Sequence, residues 1–408
     1  MRYAQTVSGI PARPRLRAVE TFAAGRGQVG LRDPAGFAED VIVLDRRAAS
    51  VAALMDGRRD AVAIASHLAA RGEPVPAPEV EALALALDRA HLLEGPRFER
   101  RRAHVGAAFR GSPRRPAHHA GLSYAASAMA LRRELDGFSH PGASLHCRPR
   151  ALVTPHIDFR RGGRSYAATY GALAPGRADE PPLLCVVLGT DHVGFRHPYT
   201  LTRKAYETPL GPVPCATDAV DALAAALGED EAYADELHHR TEHSIEFQAV
   251  WLRHALGQRP IEMVPVLCGS LHAHVLARRS PVREARIARF LDRLGEVTSR
   301  RDTLLVAGAD LGHVGPHFGD ARPLADEALA ELARGDRALL DACEVGDAER
   351  FFELIAATGD RTRVCGLAPM YALLRMIPGA RGRRVAYQQC PVPGSEGSWV
   401  SIAGVVYP

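Results

Sequence analysis

One pattern, used three times, constrains this chain more than any other feature. Ala151-Leu-Val153 runs into Thr-Pro-His156-Ile-Asp158, Leu183-Leu-Cys-Val-Val-Leu188 into Gly-Thr-Asp191-His192, and Thr303-Leu-Leu-Val-Ala307 into Gly-Ala-Asp310-Leu-Gly-His313. Short apolar runs rich in β-branched residues and bounded by Gly or Pro read as buried strands. Helical patterns alternate with them, which places this part of the chain in the α/β class with a central sheet. Polar residues at the carboxyl ends of such strands face a cleft. Three strand ends therefore deliver three histidines and three aspartates.

At 408 residues the chain exceeds what one core usually supports, so two domains are expected. The net charge of +4, from 51 basic and 47 acidic residues, gives no general case for nucleic acid or an anionic membrane. Met1-Arg-Tyr-Ala-Gln-Thr-Val-Ser8 lacks the apolar core of a signal peptide, and no run of 18 uncharged apolar residues occurs, so a cytoplasmic protein is expected. Seven cysteines (147, 185, 215, 268, 343, 365 and 390) are never spaced as C-x-x-C. This argues against a disulfide framework and a zinc ribbon, and leaves most of them as small core residues.

Residues 17–45 alternate apolar and polar positions between glycines, as strands in a hairpin do. Helical periodicity follows. Val51, Leu54 and Met55 share one face, Asp60 can cap a second helix through Leu68, and a third runs from about Glu79 to Leu93. Val43-Leu-Asp-Arg-Arg-Ala-Ala, Leu54-Met-Asp-Gly-Arg-Arg and the apolar positions to Leu93 resemble the PqqD-like fold, a small winged-helix module. In relatives that module binds leader peptides of ribosomally made, modified peptides. The resemblance implies a PqqD-like domain over 1–96. An arginine-rich stretch follows at 97–116 and reads as a linker, leaving a second domain over 117–408.

In the second domain, helices are expected at 127–135, 218–227, 284–297 and 324–341. A further helix runs through Met376, and strands are expected at 261–267, 384–390 and 398–406. Thr241 starts a helix whose first turn holds Glu242 and His243. His156, His192, His313, Cys365, Glu242, His243 and the aspartates 158, 191 and 310 are what a divalent-metal site is built from. Imidazole and thiolate suit zinc, copper and iron, and carboxylates complete or orient the set. Cys365 alone would be a buried small residue; only the Cys-Gly turn before a helix raises it. His118, His119, His238, His239, His272 and His274 lack strand-end context and are expected at the surface. Gly162-Gly163 is too short to be a phosphate loop.

His119-Ala-Gly-Leu-Ser-Tyr, Pro155-His with Arg-Gly-Gly-x-Ser-Tyr-Ala-Ala, Leu188-Gly-Thr-Asp-His, Glu242-His-Ser-Ile-Glu, Val264-Pro-Val, Asp310-Leu-Gly-His and Cys365-Gly together resemble the Memo family. Bacterial members are also called AmmeMemoRadiSam system protein B. The resemblance implies the fold of class III extradiol dioxygenases, a central sheet flanked by helices. It also implies that His156, His192 and Cys365 hold a metal, with Fe(II) the first choice and Cu or Zn the alternatives. His313 matches the acid/base of the ring-cleaving relatives, and Asp310 would orient it. Glu242 and His243 belong to the signature near the cleft. Asp158 and Asp191 depart from the family pattern and would add two carboxylates beside the metal. The function implied is oxidation of a peptide or small molecule alongside a radical-SAM partner protein. The alternatives are a non-catalytic scaffold that binds metal or peptide, and a ring-cleaving dioxygenase, which Cys365 in place of a carboxylate counts against.

Overall fold

A computed structural model describes residues 11–38, 40–138 and 148–408. Cys147 and the Met1–Ser8 stretch lie outside the described residues. The chain divides into two compact units, Met1–Gly111 and Ser112–Pro408.

In the first unit, strands Glu20–Gly25, Gln28–Arg32 and Ile42–Asp45 form an antiparallel sheet in that order. Helices Arg46–Ala53, Ala61–Ala70 and Ala77–Arg89 bury Val51, Ile64, Leu68, Val80 and Leu87 against Leu31 and Leu44. Asp60 caps its helix as expected, its carboxylate accepting from the Ala63 N–H at 2.8 Å. The stretch 97–116, read from its arginines as a linker, is helical over Pro96–Gly111. Two apolar residues and one ion pair explain this. Phe98 and Phe109 are buried, and Arg97 donates to Asp88 at 2.8 Å.

The second unit is built on an eight-stranded sheet. Four strands at its centre are parallel, in the order Ala151–Thr154, Thr303–Gly308, Leu183–Thr190 and Ile261–Cys268. Trp399–Tyr407 continues the sheet antiparallel on one side, with Arg383–Pro391 and His313–Val314 paired to it, and Tyr199–Leu201 closes the other side. Leu183–Thr190 is buried at every position, as a parallel strand covered on both faces must be. Alternate residues serve two cores. Ala151, Val153, Leu184, Val186, Leu305 and Ala307 pack with helices Thr217–Leu227, Ala285–Ser299 and Leu367–Met376. Leu152, Cys185, Val187, Leu304 and Val306 pack with Phe159, Tyr166 and Trp251 of helices Phe159–Tyr170 and His243–Ala255.

The register sets up the site. Thr154 pairs with Gly308, and Gly308 with Gly189, so three neighbouring parallel strands end at one level. Their carboxyl ends lead to His156, to Asp310 and His313, and to His192. No helix among the described residues is long and apolar enough to cross a membrane. The six described cysteines are free.

Candidate metal centre

Pro155 ends the first strand ladder, and His156 follows into the interior, 2% exposed. Its Nδ1 lies 2.9 Å from the Gly308 carbonyl. A carbonyl only accepts, so Nδ1 carries a proton, and Nε2 is the atom that offers a lone pair to the cleft once the ring is neutral. The His156 and Ile157 backbone N–H groups both donate to Asp310 Oδ1, at 2.8 and 3.3 Å. Asp310 was expected to orient His313. It instead locks the backbone that carries His156, because the two strands are adjacent and their ends meet.

Glu242 organises the other two imidazoles. It is the N-cap of the helix His243–Ala255, which starts later than the expected Thr241, and its carboxylate accepts from the N–H groups of His243 and Ser244 at 2.8 and 3.0 Å. The same carboxylate lies 3.0 Å from His192 Nδ1 and 3.2 Å from His243 Nδ1. Its hydrogen bond fixes the His192 ring with Nδ1 protonated, as carboxylates behind metal-binding histidines do, and its charge lies beside the His243 ring. The His192 and His243 rings stack at 4.8 Å, and His156 meets each edge-on, at 5.0 and 5.3 Å. One ligand nitrogen from each of His156, His192 and His243 falls within 4.8 Å of the others.

Cys365 joins them. Its Sγ lies 3.3 Å from His156 Nε2. Gly366 behind it is required by close approach: a Cβ there would sit 2.5 Å from the Asp310 carbonyl oxygen and 2.6 Å from Ala309 Cβ. Only glycine lets the turn before the helix Leu367–Met376 reach the sheet. His313 sits half-buried against Phe318, with Nδ1 3.1 Å from the Leu311 carbonyl, so its Nε2 is also left with a lone pair.

The electrostatics follow from these contacts. Burial opposes ionisation of Glu242, yet His192 and His243 hold its carboxyl well below the usual range. Burial works against a charged His156, but Asp310 and the Cys365 sulfur push it up to about 9. Burial raises the Cys365 thiol, and His156 and His313 overcome this to bring it down to about 5. Burial keeps His243 neutral against the opposing pull of Glu242, and charge on His192 and His156 adds to the effect of burial. Without a metal, the pocket therefore holds a thiolate beside an imidazolium at neutral pH.

The other expected site residues are placed as follows. Asp158 caps the helix Phe159–Tyr170 and pairs with Arg161 Nε at 2.6 Å, so its carboxylate is committed to the helix start. Asp191 lies 2.8 Å from His238 Nδ1 and accepts from the Val193 N–H. His243, expected as a neighbour of the metal, stands within the donor group itself. His239, expected at the surface, is fully buried between the Tyr206 hydroxyl at 2.7 Å and the Thr200 carbonyl at 3.0 Å.

Residues with no strand-end signal support the site from behind. Arg115, counted with the linker arginines, is 0% exposed. It pairs with buried Glu246 and donates to the carbonyls of His239 and Glu242, at 2.8 and 2.9 Å. Glu246 also accepts from the Tyr124 hydroxyl and the His119 N–H. The only advance signal was the second Glu of Glu-His-Ser-Ile-Glu, one turn beyond Glu242 on the same helix.

Three imidazole nitrogens and a thiolate suit zinc, copper or iron. The donor set thus fits a divalent metal. It differs from a two-histidine, one-carboxylate set, because the nearby carboxylates of Asp310 and Glu242 are spent on orienting histidines.

The family of Memo-like proteins matches residues 115–406. A MEMO1 family protein of Thermus thermophilus is 31% identical over 78% of this chain and 89% of its own length. One from Aquifex aeolicus is 23% identical over 92% and 95%, and one from Aeropyrum pernix 29% identical over 70% and 96%.

Proposed function

The chain belongs to the Memo family, and from that premise we propose that it is a divalent-metal protein serving oxidation of a peptide or small molecule. The observation that carries the reading is the convergence of His156, His192 and His243 within 4.8 Å, with Cys365 3.3 Å from His156. His156, His192 and Cys365 would hold the metal together with His243, with Fe(II) the first choice and copper or zinc the alternatives. Such a metal would supply Lewis acidity and, as iron or copper, a one-electron couple.

The chain's own residues have separate tasks. Gly308 and Glu242 orient the rings, Asp310 holds the His156 backbone, and burial of His156 keeps water from the floor of the site. His313 would carry a proton at Nε2, the atom its Leu311 contact leaves unprotonated. Oxygen uptake by iron-loaded protein under reducing conditions tests this. His313→Ala is expected to keep the metal and lose uptake. No uptake by wild type would leave a non-catalytic scaffold.

For the first unit we propose the PqqD-like role, capture of a leader-like peptide, with a radical-SAM enzyme as the partner that acts on the same peptide. The supporting features are the edge strand Glu20–Gly25 and the exposed Phe22 on it, since an extended peptide adds to an open sheet edge. Binding of a leader-like peptide to the full chain should weaken at least about tenfold in Phe22→Asp, read by fluorescence anisotropy. Equal binding by the variant would remove this role.

A further inference from the structure

We infer that the cleft on the helix Phe159–Tyr170, apart from the metal donors, binds the phosphate group of a small organic phosphate. The cleft has a volume of about 470 Å³ and is lined by Gly137, Phe138, Arg160, Arg161, Arg164 and Gln388. That size falls in the range of small-molecule sites. None of its lining residues is a metal donor, so the inference does not rest on the reading of the metal centre.

Three guanidinium groups line one small cleft and together favour an anion there. Arg160 and Arg164 are exposed and make no ion pair among the described residues. Arg161 shares one carboxylate, donating through Nε to Asp158 at 2.6 Å. Its Nη1 is shielded from solvent and has no hydrogen-bond partner among the described residues. A shielded donor left without an acceptor is costly, and a bound oxyanion would satisfy it. Gln388 adds a neutral donor: its Oε1 accepts from Ser165 at 2.9 Å, leaving the amide hydrogens on Nε2 to offer.

The charge balance selects the ligand class. Three arginines against Asp158 leave a net charge of two, which matches a phosphate monoester dianion, and guanidinium forks suit its tetrahedral oxygens. The apolar wall suits an organic body. Phe138 lies flat on Gly163, where a Cβ would stand 2.5 Å from its ring, so the glycine is what lets the ring form that wall. The Gly162-Gly163 pair thus matters here for close packing, not as a phosphate loop.

Calorimetric titration of the full-length protein with phenyl phosphate tests this, with inorganic phosphate and phthalate as comparators. Wild type should bind phenyl phosphate more tightly than either comparator. Arg160→Ser or Arg164→Ser should weaken binding by about tenfold each, and the pair by more, as expected for charge-assisted hydrogen bonds. Both arginines are exposed, so circular dichroism and metal content should be unchanged. Phe138→Ala should weaken phenyl phosphate and spare inorganic phosphate. Equal binding by wild type and the double variant would put the phosphate elsewhere and overturn the inference. No saturation at millimolar concentrations would overturn it as well. Phthalate binding as tightly as phenyl phosphate would overturn the phosphate assignment.

Discussion

Arg115→Met lowers the stability of the Ser112–Pro408 unit by about 3–5 kcal/mol, the range expected when one partner of a buried ion pair is removed. Arg115 and Glu246 have fully buried side chains. Removing the guanidinium strands the Glu246 carboxylate, and it also orphans the carbonyls of Pro116, His239 and Glu242 that Arg115 serves. Methionine keeps most of the volume, so the loss is electrostatic rather than a cavity. Both tryptophans, Trp251 and Trp399, lie in this unit, so urea unfolding followed by tryptophan fluorescence reports on it alone. Arg115→Met combined with Glu246→Met should recover part of the loss, because no charge is then left unpaired. An unchanged urea midpoint in the single variant would mean the pair is not what braces the Glu242 helix start.

His156→Ala, His192→Ala and Cys365→Ala are each expected to reduce bound metal from near-stoichiometric to trace. Each removes a donor that no neighbour can replace. The carboxylates nearby are already engaged, Glu242 with two histidines and Asp310 with the His156 backbone. Glu242→Gln should retain the donors yet bind metal about 10–100-fold more weakly, the usual cost of losing an orienting partner. Metal uptake should also release protons at neutral pH. In the metal-free protein His156 is raised to about 9, so its ring is charged at pH 7, and His192 is pushed up as well, Glu242 outweighing burial. A ligand must be neutral, so affinity rises with pH through neutrality and on through about 9, where His156 loses its proton.

Much of this site could be read in advance because strand ends are local. Apolar runs, Gly and Pro boundaries and the residues just after them lie within ten positions of one another, and the sheet register does the rest. Asp60 was legible as a cap for the same reason. What stayed hidden depends on distant partners. Arg115 sits among solvent-seeking arginines in sequence, and only its contact with Glu246, 131 positions away, takes it into the core. Asp310 stands three residues from His313, which suggested that it orients that ring. The neighbouring strand brings the His156 and Ile157 amides closer, and two backbone donors claim the carboxylate. Asp158, two residues from His156, looks from its position like a metal-side carboxylate, but the helix start beside it has orphan N–H groups to satisfy. His239 carries no local sign of burial; Tyr206 and Thr200 supply it.

The central claim is that His156, His192, His243 and Cys365 form one metal centre. Elemental analysis of anaerobically purified protein, wild type beside His156→Ala, His243→Ala and Cys365→Ala, tests it most directly. Near-stoichiometric iron, copper or zinc is expected in wild type and its loss in the variants, with circular dichroism unchanged. Wild type that holds no metal even after reconstitution, or variants that retain it, would contradict the account.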